Sequence, residues 1–149
     1  MIRKLLPHLF PWLLLAVVLL LLVPMAYPVE LPLEYHFYHF ILFCLLIAVY
    51  YFNVNYLLPV IQKKHGLFYY VLCIVVIGFG SVFLMELVSE SLNIRQLIQQ
   101  KLNPGEPYVK KRNIFIFFYI LILVSIIVAT GIILQLVKKW NLDEKYNII

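Results

Sequence analysis

The 149-residue chain is 64% hydrophobic and only 13% charged, with a mean hydropathy of +0.97, more apolar surface than a soluble domain of this size can hide. Its net charge of +5 does not point to nucleic acid, because the basic residues flank apolar runs instead of forming a stripe. Four runs of spanning length use most of the residues, and no stretch remains for a soluble catalytic or receptor domain of about 50 residues or more. The expected fold is all-α, an integral-membrane four-helix bundle forming one transmembrane domain over residues 1–149. Its expected location is the cell (cytoplasmic or inner) membrane.

Arg3 and Lys4 precede the first apolar run, at about residues 9–27, which contains LLLAVVLLLLV. A positive start before a Leu/Val helix reads as a signal anchor, and Pro24 occupies the position where a cleavage site wants a small residue. The connection Pro28 to His36 carries Glu30 and Glu34 without Lys or Arg, and Pro28 and Pro32 prevent a helix from running through it. The second span, about 37–60, is aromatic at both ends, with Tyr50, Tyr51 and Tyr56 marking the cytoplasmic one. Near that end Pro59 is expected to kink or stop the helix. Asn53 and Asn55 bring amides that need partners wherever water is absent, and Asn55 with Pro59 is expected to shape the inner hairpin, its amide bonding across to a neighbouring helix.

Ile61 to Gly66 holds Lys63 and Lys64 with no acid, so this short loop is retained on the cytoplasmic side. The third span, about 67–88, passes through Gly78, Gly80 and Ser81, small residues that permit close helix approach. Over about 89–103, Ile94, Leu97, Ile98 and Leu102 recur at helical spacing among polar residues. The pattern describes an amphipathic helix at the outer surface, or a continuation of the third span into water. Asn103, Pro104, Gly105 and Pro107 then spell a turn. The fourth span, about 113–137, contains Ser125 and Ala129 and meets Lys138 and Lys139 at the start of a cytoplasmic tail, 138–149, into which the helix could continue.

With both termini in the cytoplasm, Arg3, Lys4, Lys63, Lys64, Lys138, Lys139 and Lys145 lie inside, seven against the five of Arg95, Lys101, Lys110, Lys111 and Arg112 outside. The inverted arrangement strands Lys63/Lys64 and Lys138/Lys139 on the wrong face. Cys44 and Cys73 fall inside different spans at different depths, so no disulfide is expected and both read as small buried apolar residues.

The run YFNVNYLLPVIQKKHGLFYY, Tyr51 to Tyr70, resembles the junction between the second and third helices in the membrane region of LytS-like sensor histidine kinases. The positions that carry the resemblance are Asn55, Tyr56, Leu58, Pro59, Lys63, Lys64 and Tyr70. The order of four spans and the exit KKWNLDEKY resemble the same family, where that exit leads toward the kinase core. The resemblance implies a membrane sensor module that works as a homodimer and reports to a cytoplasmic kinase or response partner. The family's phosphoacceptor His and ATP-binding domain do not occur within these residues, so the part in hand is expected to be non-catalytic.

Residue by residue, other chemistry is sparse. His36 and His39 open the second span, Glu86 and Glu90 close the third, and each pair has the spacing to share a helical face, the raw material of a metal or proton sensor. Polar residues are also ordinary at span ends, and no metal or cofactor is expected. No Ser or Cys stands near a His and an acid in a nucleophilic arrangement. Ser125 and Ala129, four apart, could bring two copies of the fourth helix together or pack against the chain's own helices. Three readings stay open: a signal-transmitting module; a small transporter or channel subunit, for which Glu86 is the only acid near a span interior; and a structural membrane partner.

Overall fold

The computed structural model describes residues 12–62, 66–109 and 114–147. Among them every regular element is helical and none is a strand. Helix α1 runs Trp12–Met25, α2 Leu33–Phe52 with an irregular continuation to Gln62, α3 Gly66–Ser91, α4 Ile94–Leu102 and α5 Ile114–Asn147.

Three stretches are long and apolar enough to cross a membrane: Leu33–Ile61, Gly66–Ser91 and Ile114–Trp140. No more than 28% of any of their apolar windows is buried within the protein, so most of each helix surface needs an apolar solvent. The buried residues form narrow stripes: Leu42, Leu46, Val49 and Asn53 on α2; Tyr70, Ser81, Val82, Met85 and Ser89 on α3; Ile120, Val124, Ile127 and Val128 on α5. Steps of three and four keep each stripe on one face, and the remaining apolar side chains face outward. Helix α1 has 14 described residues, about 21 Å at the α-helical rise; of the expected first span, residues 9–11 lie outside the described residues and residues 26–27 follow the end of the helix.

Two prolines shape the helices in the same way. A proline lacks an N–H, and its ring collides with the carbonyl four residues back. Ahead of Pro24 the chain opens into a π turn at Val18–Leu22, closed by the Val23 N–H donating to the Val18 carbonyl. Ahead of Pro59 it does so again at Asn53–Leu57, closed by Leu58 N–H to the Asn53 carbonyl. The second π turn gives way to a 3₁₀ stretch, Leu58–Gln62, so the kink expected at Pro59 takes the form of a widened turn followed by a tightened one.

Other boundaries differ from the sequence reading for local reasons. Helix α2 begins at Leu33, directly after Pro32, so His36 lies within the helix, and Glu34 in the first turn suits the positive end of the helix dipole. Ser89 and Ser91 remain inside α3; the break falls at Asn93, in the left-handed conformation at φ 49°, which Asn tolerates better than most residues. The amphipathic segment is thus a helix of its own. Helix α5 does not stop at Lys138 and Lys139 but continues to Asn147.

The described chain forms two compact units, Met1–Ile47 with Phe83–Arg112, and Ala48–Val82 with Asn113–Ile149. In the first, Trp12 meets Phe43 edge to face, Tyr27 meets Tyr35, and the Lys101 ammonium donates to the Glu30 carbonyl at 2.9 Å, tying α4 to the α1–α2 connection. In the second, Phe79 of α3 stacks against Phe117 of α5, and Gly78 brings its helix against Leu121. Gly80, by contrast, is exposed with nothing near it. Cys44 is also exposed and Cys73 half-buried, both as free thiols, because neither falls on a buried stripe.

Gly66 starts α3 where a Cβ would collide with the Val60 carbonyl oxygen, a backbone atom that cannot swing aside. Gly→Ala in an open helix position favours folding by up to about 1 kcal/mol. We expect Gly80→Ala to be neutral or stabilising, and Gly66→Ala to destabilise by about 1–3 kcal/mol through steric conflict. Unfolding midpoints of the two variants in detergent micelles check the opposite signs.

Candidate functional site

Two polar clusters stand out, one in each unit. In the second unit, Asn53 is fully buried at the first residue of the π turn. Its Nδ2 donates to the Val128 carbonyl of α5 at 3.3 Å, and its Oδ1 accepts from the Tyr70 hydroxyl of α3 at 3.0 Å. A backbone carbonyl can only accept, so the amide must turn its NH₂ toward Val128, which leaves Oδ1 for Tyr70. One side chain therefore joins α2, α3 and α5.

Gly131, one turn beyond Val128, makes room for this contact. A Cβ there would stand 2.8 Å from Asn53 Nδ2 and 3.2 Å from Val54 Cγ2, so a larger residue would wedge the amide away from α5. Interhelical hydrogen bonds of this kind contribute about 1–2 kcal/mol each, or less, in an apolar medium. Their geometric effect is larger, since they set one depth and one rotation for three helices that are otherwise apolar and free to slide.

In the first unit the side chains weighed as sensor groups take separate roles. His39 is buried; its Nδ1 lies 3.0 Å from the Tyr35 carbonyl, a contact that requires the proton on Nδ1, and its ring packs between Tyr35 and Tyr38. His36 is exposed, against the edge of Tyr35. Glu86 is half-buried in an ion pair with Arg95, across the Asn93 break, and Glu90 is exposed. Among the described residues no three His, Cys, Asp or Glu side chains converge on a point where a metal ion would sit. Glu90 instead lines an open cavity of about 110 Å³ together with Ser89, Asn93, Arg95, Gln96 and Tyr108.

Of the residues that carried the family resemblance, Tyr70 joins the Asn53 cluster and Leu58 is half-buried, but the others are placed differently. Asn55, Tyr56 and Pro59 are exposed, with the Tyr56 ring tilted over Phe52 at 5.5 Å, and Lys63 and Lys64 lie outside the described residues. Ser125 and Ala129 are exposed on α5, and the Ser125 hydroxyl donates to the Leu121 carbonyl at 2.8 Å, as Thr130 does to Ile126. These internal bonds let hydroxyls face an apolar solvent without an unmet partner. Both asparagines were visible in the sequence, but only packing selects Asn53. It stands four residues after Val49 and eleven after Leu42 on the buried stripe, whereas Asn55 is rotated by about 200° from it.

Compared with known proteins, the chain matches no protein-family model, no curated protein and no solved structure.

Asn53→Leu removes both bonds and leaves the Tyr70 hydroxyl without this acceptor, so we expect a loss of about 1–3 kcal/mol. Asn55→Leu, on an exposed position, is expected to change stability by less than about 0.5 kcal/mol. Detergent unfolding of the two variants beside the wild type distinguishes them, and equal losses would remove Asn53 from its central role.

Proposed function

We propose that this chain is a membrane-embedded signal-transmitting module, similar to the input region of a LytS-like sensor histidine kinase, that converts helix movement into motion of its last helix. The observation that carries the reading is the continuity of α5, which runs from its apolar span Ile114–Trp140 without a break to Asn147. A helix of 34 residues, about 51 Å long, transmits rotation or sliding past the membrane surface without a joint to absorb it. The family resemblance at Tyr51 to Tyr70 supports the same reading.

On this proposal the chain has four membrane helices, with α1 completing the set, and both termini lie in the cytoplasm as the Lys and Arg distribution favours. It resides in the cytoplasmic membrane and hands its signal to a kinase core or another cytoplasmic response partner. Two copies pair through α5, where Ser125 and Ala129 are exposed on one face and permit close approach. Transport is the weaker reading, because Glu86, the acid nearest a span interior, is neutralised by Arg95.

A kinase core of the LytS-like class fused after Asn147 tests the transmission. Each alanine inserted between Trp140 and the core rotates the output by about 100°. Autophosphorylation in vesicles is expected to rise and fall by about 5-fold or more with a period of three to four residues, the range of ordinary coupling energies. A flat profile refutes transmission through α5. Separately, single cysteines placed along Leu121 to Leu134 in a cysteine-free background should crosslink between copies most strongly at positions 125 and 129. Uniform or absent crosslinking in membranes removes the dimer.

A further inference from the structure

We propose that Asn53, Tyr70 and the Val128 carbonyl form a latch between two positions of α5, with the irregular stretch Asn53–Gln62 as its hinge. The signalling consequence rests on the function proposed above, but the mechanical claim does not. Asn53 performs two tasks at once: its backbone carbonyl accepts the wide bond from Leu58 N–H that defines the π turn, and its side chain holds α3 and α5. A change in the turn therefore redirects the amide, and a pull on the amide strains the turn.

The hinge is suited to such a change. A π turn is underwound and a 3₁₀ stretch overwound, and here they follow each other directly, at Asn53–Leu57 and Leu58–Gln62. Opening the wide bond between the Leu58 N–H and the Asn53 carbonyl frees the residue that bears the amide, and because Pro59 keeps the stretch from closing into regular α-helix, Asn53 can shift without the whole of α2 turning. Single π turns within α-helices recur at functional sites for this kind of local adjustment.

A second state is chemically acceptable because neither polar partner need be left bare. A released Asn53 amide has the carbonyl of Val49, four residues back, within its own helix, the pattern Ser125 and Thr130 already use in α5. The Val128 carbonyl keeps its place as an acceptor in the α5 helical ladder. Tyr70 stands four residues from the first residue of α3, close enough to the helix end for its hydroxyl to turn toward headgroup water. Gly131 presents no side chain to catch on Asn53 or Val54 as α5 moves past α2. Any stimulus that shifts α3 against α2 draws the Tyr70 hydroxyl off Asn53 and weakens the hold on α5.

The test uses the full chain in lipid nanodiscs, with Cys44 and Cys73 replaced and spin labels at the exposed positions Tyr51 and Leu134, read by pulsed dipolar spectroscopy. With the labelled chain diluted in an excess of unlabelled chain, so that only distances within one copy register, wild type should show one dominant distance, with any minor state below about 10%. Tyr70→Phe, which removes one oxygen atom, and Asn53→Ser, whose hydroxyl bonds back to its own helix but cannot reach Val128, should each raise a second distance population above that level. A single wild-type distance in both variants, with helix content unchanged, overturns the latch. The same variants carried into the kinase fusion separate the two claims. A second distance with unaltered phosphorylation keeps the latch and counts against the signalling reading, whereas one distance with an intact insertion-phase response overturns the latch and leaves that reading standing.

Discussion

A buried amide in an apolar helix interface governs the arrangement of the second unit. Three helices whose contacting surfaces are made of Leu, Ile, Val and Phe have many nearly equivalent ways to pack, because dispersion contacts between such side chains are weakly directional. Asn53 removes that freedom. Its NH₂ and carbonyl need a particular acceptor and a particular donor, and only one register supplies the Val128 carbonyl and the Tyr70 hydroxyl together. Gly131 follows from the same requirement, since a Cβ at that position would occupy the space of the amide. The interaction contributes more to uniqueness of structure than to stability.

The prolines show how an apolar environment turns a local defect into a designed irregularity. A missing N–H in lipid leaves a carbonyl without its donor, and no water is at hand to replace it. At Pro24 and Pro59 alike the chain widens the preceding turn so that the neighbouring residue reaches back five positions. At Pro59 this places the widened turn on the residue that bears the buried amide, so backbone irregularity and interhelical bonding coincide. That coincidence makes α2 a jointed element, while α5 remains an unbroken rod.

The first unit manages its polar groups by a different route. Arg95 and Glu86 neutralise each other across the break at Asn93, His39 turns inward to its own helix, and Lys101 fastens α4 to the Glu30 carbonyl. The α3–α4 corner is thereby held by ionic and hydrogen-bonded contacts as well as by the buried Met85 and Ile94.

The sequence by itself determined that the chain is helical and apolar enough to cross a membrane, because composition and run length answer to the solvent and not to partners. It also marked Pro59 as a place of helical disturbance, since a proline's missing donor is a property of the residue alone. Helix ends were only partly legible: α2 begins at Leu33 behind Pro32, four residues before the expected 37, whereas α3 begins at Gly66, next to the expected 67, and the break at Asn93 depends on a backbone conformation that other polar residues nearby could also adopt. The choice between Asn53 and Asn55 belonged to the tertiary structure. Both are asparagines in the same aromatic stretch, separated by about 200° of helix, and only packing against α3 and α5 decides which faces inward. For the same reason Gly80 stayed open while Gly131 became a contact, and Cys44 turned outward: the identity of a small residue permits close approach, but the position of the neighbouring helix decides whether any approach occurs.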